Sequence, residues 1–312
     1  YRRLAARLAG EIARRYADHP ALELWHINNE FGCHVSRCYC ETSAAAFRRW
    51  LTEKYGTVEN LNRAWGTAFW SQRYGSFDEV TVPSAAPAFR NPTQLLDFDR
   101  FSSDEILGIF RHEAAAVRTS SPDVPITTNF MGFFKPLNYW AWAAELDVIS
   151  DDCYPDPDDP DSPYLAAMTR DLMRSLADGK PWLLMEQSVG AVNWRPSNAA
   201  KPEGMMRAWS YQALARGADG ILYFQWRQSA RGAERFHSAM LPHTGTDSVS
   251  WKAVCGLGAE LREIGDDLDA PAPAPVGIML DWDSWWSIEQ AGLPSTIDYL
   301  AGVRAWYRTL YD

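Results

Sequence analysis

The chain has 312 residues, 46% of them hydrophobic, enough to bury a substantial core as one large domain or one domain and part of another. Its 30 basic and 40 acidic residues give a net charge of −10 with no run of five or more like charges, which argues against nucleic acid or an anionic membrane as partner. No apolar run reaches the roughly 18 to 20 residues of a membrane span, the order of a secretory signal is missing after Tyr1, and five cysteines, an odd number, make no disulfide framework. A cytoplasmic location with reduced thiols is therefore the expectation. The 15 Trp, 13 Tyr and 13 Phe suit either sugar-stacking faces or a large core, and composition does not choose between them.

Leu4, Leu8, Ile12 and Tyr16 recur at helical spacing and predict a helix that stops before Pro20. "ALELWHI" then reads as a strand. "SAAAFRRWLTEKYG" reads as a helix with Ser43 as candidate N-cap, an apolar side made of Phe47, Trp50, Leu51 and Tyr55, and Gly56 as its stop. Pro and Gly punctuate a long loop from about 66 to 93, followed by a helix from about 95 to 118 carrying Phe98, Phe101, Ile109 and Phe110. From there the pattern is regular. Strands "PITTNF", "LDVIS", "PWLLMEQ" and "GILYFQW" alternate with helices near "YWAWAAE", "PYLAAMTRDLMRSLA", "GMMRAWSYQALARGA" and "WKAVCGLGAELREIG". Such alternation predicts an α/β fold with a parallel sheet covered by helices, five strands in all. "LDAPAPAPVG" is a Pro/Ala linker, and "VGIMLDW" predicts a new strand with the helix "STIDYLAGVRAWYRTLY" to follow. The boundaries expected are residues 1–268, a linker at 269–275, and the start of a second α/β domain at 276–312.

In parallel α/β barrels the reactive groups project from the C-terminal ends of strands. Asn29, Glu30, Asn129, Asp151, Tyr154, Glu186 and Trp226 all fall at such ends. "LELWHINNE" and "WLLMEQS" each run an apolar strand directly into a Glu, 156 residues apart. An ionised carboxylate buried without a partner is costly, so each Glu must be paired, raised in pKa or exposed in a cleft. Singly, each reads as a salt-bridged strand-end acid. Together they suggest a working pair, because glycoside hydrolysis needs one acid to protonate the leaving oxygen and one carboxylate about 5 Å away to attack the sugar. Asn29 offers an amide for a substrate hydroxyl, or one satisfied by backbone.

These residues carry a family resemblance. "INNEFGCH", "CYCETSAAAFRRWLTEKYGTVENLNRAWGTAFWSQRY", "LLMEQSVGAVNWRP", "QWRQSARGAERFHSAMLPH" and "DWDSWW" resemble the motifs of glycoside hydrolase family 42 β-galactosidases, in order and nearly end to end. The resemblance implies a partial (β/α)8 TIM barrel, about strands four to eight, then the start of a flavodoxin-like domain. It implies Glu30 as acid/base and Glu186 as nucleophile, with Asn29, Tyr154, Trp194, Phe224, Glu234 and His237 lining a galactose subsite. Spacing alone would make His237 a surface histidine. It further implies a β-galactoside substrate, no required cofactor and a homotrimer. By the same resemblance the first three strand–helix units and most of the second domain beyond Asp312 lie elsewhere, with an active-site arginine among them. The 312 residues alone are accordingly expected to have little or no activity.

Cys38 and Cys40 match two of the cysteines that hold a structural zinc in many family members, but the next matching position is Ser43, a poor zinc ligand. Cys33 or His34 could substitute, yet free thiols are the expected state. Two other functions fit the same residues: an α-L-arabinopyranosidase, whose sugar is galactose without its hydroxymethyl group, and a catalytically inactive carbohydrate-binding relative. Retention of both Glu30 and Glu186 speaks against the second.

Overall fold

A computed structural model describes residues 1–265, 274–294 and 296–311. The strands β1 (Trp25–His26), β2 (Ile126–Thr127), β3 (Asn129–Phe130), β4 (Ile149–Asp152), β5 (Trp182–Glu186) and β6 (Gly220–Ile221) pair in parallel throughout. β1 pairs with β2, and β3, β4, β5 and β6 follow one another in a sheet. Only Thr128 separates β2 from β3, so one passage of chain bonds β1 on one flank and β4 on the other. The five strands read from sequence are thus five neighbouring passages in chain order, all with their C-terminal ends on one side.

The α-helices of the described residues are α1 (Arg2–Tyr16), α2 (Glu41–Tyr55), α3 (Val58–Trp65), α4 (Pro92–Arg118), α5 (Tyr139–Ala143), α6 (Ser162–Ala177), α7 (Met205–Leu214), α8 (Val249–Ile264), α9 (Trp282–Ile288) and α10 (Tyr299–Tyr311). α4 opens on Asn91, whose Oδ1 accepts from the Thr93 and Gln94 N–H groups, with Pro92 at the first helical position. α2 starts two residues before Ser43, the cap expected from sequence. The extended backbone of Cys40 (φ −74°, ψ 164°) stands at the N-cap, and Ser43 lies inside the first turn. Gly56 ends α2 as expected, at φ 71°, with its N–H on the Thr52 carbonyl. α3 has no counterpart among the elements expected from sequence. Its signals were present: the Thr57 side chain accepts from Asn60 N–H, and Gly66 closes it in the left-handed region.

The main core joins Ile126, Phe130, Ile149, Trp182 and Leu184 of the sheet to Leu107 and Phe110 of α4 and to Trp282, Trp285 and Trp286 of α9. A second core packs Phe47 and Leu51 of α2 and Leu61 and Trp65 of α3 on Phe98 and Phe101 of α4. α1 lies along α4 through small residues. Ala13 is fully buried there, and a Cβ on Gly10 would sit 3.5 Å from the Ala116 Cβ. Leu4, Leu8, Ile12 and Tyr16, the residues that announced this helix, are instead 42 to 63% exposed and turn away from the described core.

The strand expected at "VGIMLDW" does not form. Residues 277–281 run outside any ladder, and Asp281 caps α9 by accepting from the Ser284 N–H at 2.7 Å. The cap aligns Trp282, Trp285 and Trp286 on one helical face, all buried, so an apolar run that reads as a strand is the entry to a helix. Arg100 pairs with Asp283, and Tyr307 of α10 donates to Asp171 of α6, so the described part of the last segment shares the core of the rest. Of the expected linker at 269–275, residues 269–273 lie outside the described residues.

Candidate active site

Just beyond β1 the chain leaves the extended region. Asn28 (φ 57°) and Glu30 (φ 45°) are left-handed, and Gly32 follows at φ 79°. Left-handed backbone costs an L-residue about 1–2 kcal/mol, less for Asn, so something must hold this turn. The holder is Asn129, the first residue of β3, only 1% exposed. Its Oδ1 accepts from the Glu30 N–H at 3.0 Å and from His26 Nε2 at 2.9 Å, and its Nδ2 donates to Asn29 Oδ1 at 2.9 Å and to Asp152 Oδ2. His26 must therefore carry its proton on Nε2, and burial holds its pKa below the usual value. One amide thus ties the end of β1 to the end of β4.

Glu186 is the last residue of β5. The Tyr154 hydroxyl donates to its Oε2 at 2.5 Å, and the Cys153 N–H bonds to its carbonyl at 2.9 Å. Arg195 in turn donates to the Tyr154 carbonyl and holds that tyrosine's loop. Burial raises the Glu186 pKa, the Tyr154 bond opposes the rise, and the charges of Glu30 and Glu234 add to it. Glu30 and Glu186 face each other: carboxyl oxygens of Glu30, Asp152 and Glu186 all lie within 4.8 Å of one another. Oxygens this close are compatible with a second carboxylate reaching the anomeric carbon itself.

Asp152 replaces Asp151 among the residues read from sequence. Successive strand side chains point to opposite faces, and the register of β4 on β5 shifts between these two residues. Asp151 consequently points away from that group, fully buried and accepting from the Gly132 N–H, while Asp152 joins the carboxyl group of three. Burial pushes the Asp151 pKa up to about 8.

Around the trio stand aromatic rings. The Tyr154 and Trp194 rings meet edge to face at 4.8 Å, and His237 lies 4.8 Å from Phe224, 5.3 Å from Trp194 and 5.9 Å from Tyr154. His237 is fully buried, with Nδ1 3.1 Å from Asn193 Oδ1, which overturns the surface position that spacing alone suggests. Its packing against three rings is the reason, and burial lowers its pKa. Trp194 is 54% exposed, Glu234 is exposed yet close enough for its charge to act on Glu186, and Asn29 is exposed beside Glu30. Trp226 is not brought in: its ring packs on Trp251. A cavity of about 750 Å³ between α6, α10 and residues 274–280 involves none of these groups.

The Sγ atoms of Cys38 and Cys40 are 3.4 Å apart, and Ser43 Oγ is 3.6 Å from Cys40 Sγ. Among the described residues no third His, Cys, Asp or Glu joins these two thiols in a metal-ligand cluster, so the donor set does not complete a tetrahedral zinc site. Hydrogen bonds from Ser43 and Cys38 bring the Cys40 thiol down to about 7.

A sequence profile described as glycoside hydrolase 42, β-galactosidase, matches residues 1–264. The chain belongs to this family. It is 50% identical over 307 residues to a β-galactosidase from Geobacillus kaustophilus, covering 98% of this chain and 46% of that protein. It is 48% identical over 313 residues to one from Heyndrickxia coagulans, covering 100% of this chain and 47% of that protein. Among solved structures, a β-galactosidase from Bacillus circulans sp. alkalophilus superposes with a TM-score of 0.93 at 42% identity, over 99% of this chain and 46% of that one. The chain thus spans about half the length of the relatives it matches.

Proposed function

We propose that the full-length protein removes terminal non-reducing β-D-galactose from β-galactosides by double displacement, with retention of anomeric configuration. The observation that carries this reading is the carboxyl pair of Glu30 and Glu186, facing each other within 4.8 Å at the ends of parallel strands. Family membership supports it. In the first step a Glu186 oxygen attacks the anomeric carbon, while Glu30 donates its proton to the departing glycosidic oxygen. The Tyr154 hydroxyl occupies Oε2 of Glu186 and so leaves the other oxygen to attack. Burial raises the Tyr154 pKa and the Glu186 charge adds to it, which keeps that hydroxyl a donor. In the second step Glu30, now a carboxylate, takes a proton from water, the oxygen adds to the anomeric carbon, and the ester bond to Glu186 breaks. Trp194 and Phe224 offer apolar faces to the sugar ring, while Asn29, Glu234 and His237 offer partners for its hydroxyls. The chemistry asks for no cofactor.

To the same proposal belong the finer features of the fold, namely strands four to eight of a (β/α)8 barrel and the opening of a flavodoxin-like domain, and a homotrimeric, cytoplasmic full-length protein. Among the described residues no helix is long and apolar enough to cross a membrane. The test is proton NMR of the first-formed sugar during hydrolysis of a nitrophenyl β-galactoside by the full-length protein. β-Galactose appearing before mutarotation is the expected result. First-formed α-galactose overturns the double displacement.

A further inference from the structure

Of the three carboxyls in the trio, the proposed reaction uses two. Asp152 is only 7% exposed; Asn129 donates to its Oδ2, and Oδ1 has no hydrogen-bond donor from the protein. An ionised Asp152 would thus be buried with one oxygen unpartnered, and one of its carboxyl oxygens lies within 4.8 Å of two further carboxyls. Like charges at such spacing cannot all be present, and the proton settles where solvation is poorest. Burial, followed by the charges of Glu186, Asp151 and Glu30, pushes Asp152 up to about 11. A Glu30 carboxyl oxygen lies within 4.8 Å of it.

We propose that Asp152 is a positioning residue for the acid/base: it remains a neutral carboxylic acid whose O–H donates to the Glu30 carboxyl. This rests on the reading of Glu30 as the acid/base. With one Glu30 oxygen occupied by Asp152, the other is directed at the glycosidic oxygen in the first step and at the incoming water in the second. Asn129 completes the arrangement, since it holds Asp152 by Oδ2 and the Glu30 backbone by its N–H. A strained turn and a neutral acid thereby fix both ends of the Glu30 side chain. The other titratable groups close enough to feel the Asp152 charge are Glu186, Tyr154, Cys33 and Tyr139, with Asp151 and Cys153 beside it in the chain.

Acid assistance matters for poor leaving groups and little for good ones, which separates positioning of Glu30 from a structural role. The experiment compares Glu30→Ala, Asp152→Ala and Asp152→Asn in the full-length protein on a methyl and a dinitrophenyl β-galactoside. Glu30→Ala is expected to lose about 10²-fold or more in kcat/KM on the methyl glycoside and far less on the dinitrophenyl one. Asp152→Ala is expected to lose about 10-fold or more in kcat/KM on the methyl glycoside and far less on the dinitrophenyl one, and Asp152→Asn, which keeps an N–H donor, to recover most of that loss. An equal loss on both substrates, or an Asn variant no better than Ala, overturns the proposal. If Glu30→Ala itself shows no dependence on leaving group, the acid/base assignment fails first and takes this one with it. Should Asp152→Ala not fold, infrared difference spectra between wild type and Asp152→Asn decide. A protonated-carboxyl band at neutral pH that vanishes in the Asn variant upholds the proposal, and its absence from wild type overturns it.

Discussion

The helical layer of α2, α3 and α4 and the strand ends each bury an aspartate, and the two have opposite surroundings. Asp97 is 0% exposed and accepts from Lys54, Tyr55, Trp65 and Arg100. Burial works against its charge, but those donors more than offset it and hold its pKa below the usual carboxylate range. Asp152, 7% exposed, has one donor and two carboxyl neighbours, and its pKa goes up. Burial alone therefore does not distinguish a structural acid from a functional one; the company it keeps does. Where every lone pair is satisfied, the group holds the fold. Where like groups are forced together, the fold is holding a site.

The largest effect is expected at Glu186, a carboxyl neighbour of Asp152. In the full-length protein Glu186→Ala should lower kcat by about four orders of magnitude or more while sugar binding persists and the melting temperature holds or rises. A variant with substantial turnover ends the nucleophile assignment. Glu30→Ala should cost about 10²–10⁴-fold on substrates with poor leaving groups, measured as kcat/KM. At the other aspartate the pattern reverses. Asp97→Ala should destabilise the fold by about 3 kcal/mol in urea unfolding, at the lower end for a broken buried pair because the Lys54 and Arg100 side chains keep 30% and 28% exposure. Activity per folded molecule should be unchanged.

A pH series sharpens the contrast by sign. The folded-state pKa of Asp97 is below its unfolded value of about 3.9, so its contribution is present above that pH and is lost as pH falls through the folded value. Asp97→Asn should flatten the acid limb of the stability curve. Asp152 keeps its proton when folded and loses it near pH 4 when unfolded, so its effect on stability declines as pH rises toward about 11. The melting temperature of Asp152→Asn relative to wild type should increase between roughly pH 5 and 9. A constant difference contradicts the neutral acid. The smallest effect is expected at the thiols: replacing Cys38 and Cys40 by Ser, or adding a chelator, should move stability by no more than about 0.5 kcal/mol.

Much of this was legible in the sequence, for reasons visible at particular residues. Glu30 and Glu186 stand out because each ends an apolar run in a charge that a core strand has no use for, and α4 announces itself through Asn91, Pro92 and its Phe stripe. Asp152 was hidden by its neighbour. In "SDD" either acid can face the ligand side, and only pleat direction and the register shift decide between them. Asn129 could be placed at a strand end, but its role as a hub depends on partners about a hundred residues away, which no local pattern encodes. His237 shows the same limit, since its burial is made by rings from three other segments. The strand expected near residue 280 failed differently: residues 277–281 join no ladder among the described residues, and the Asp281 cap starts a helix just after them, at Trp282.

The claim on which the rest depends is that Glu186 forms a covalent bond to the sugar. Incubating the full-length protein with a 2-deoxy-2-fluoro-β-galactoside bearing a dinitrophenyl leaving group, followed by peptide mass spectrometry, tests it directly. One fluorosugar per chain is expected, on the peptide carrying Glu186, with Glu30 and Asp152 unlabelled. A label on either of those acids, or continued turnover with no label, contradicts it.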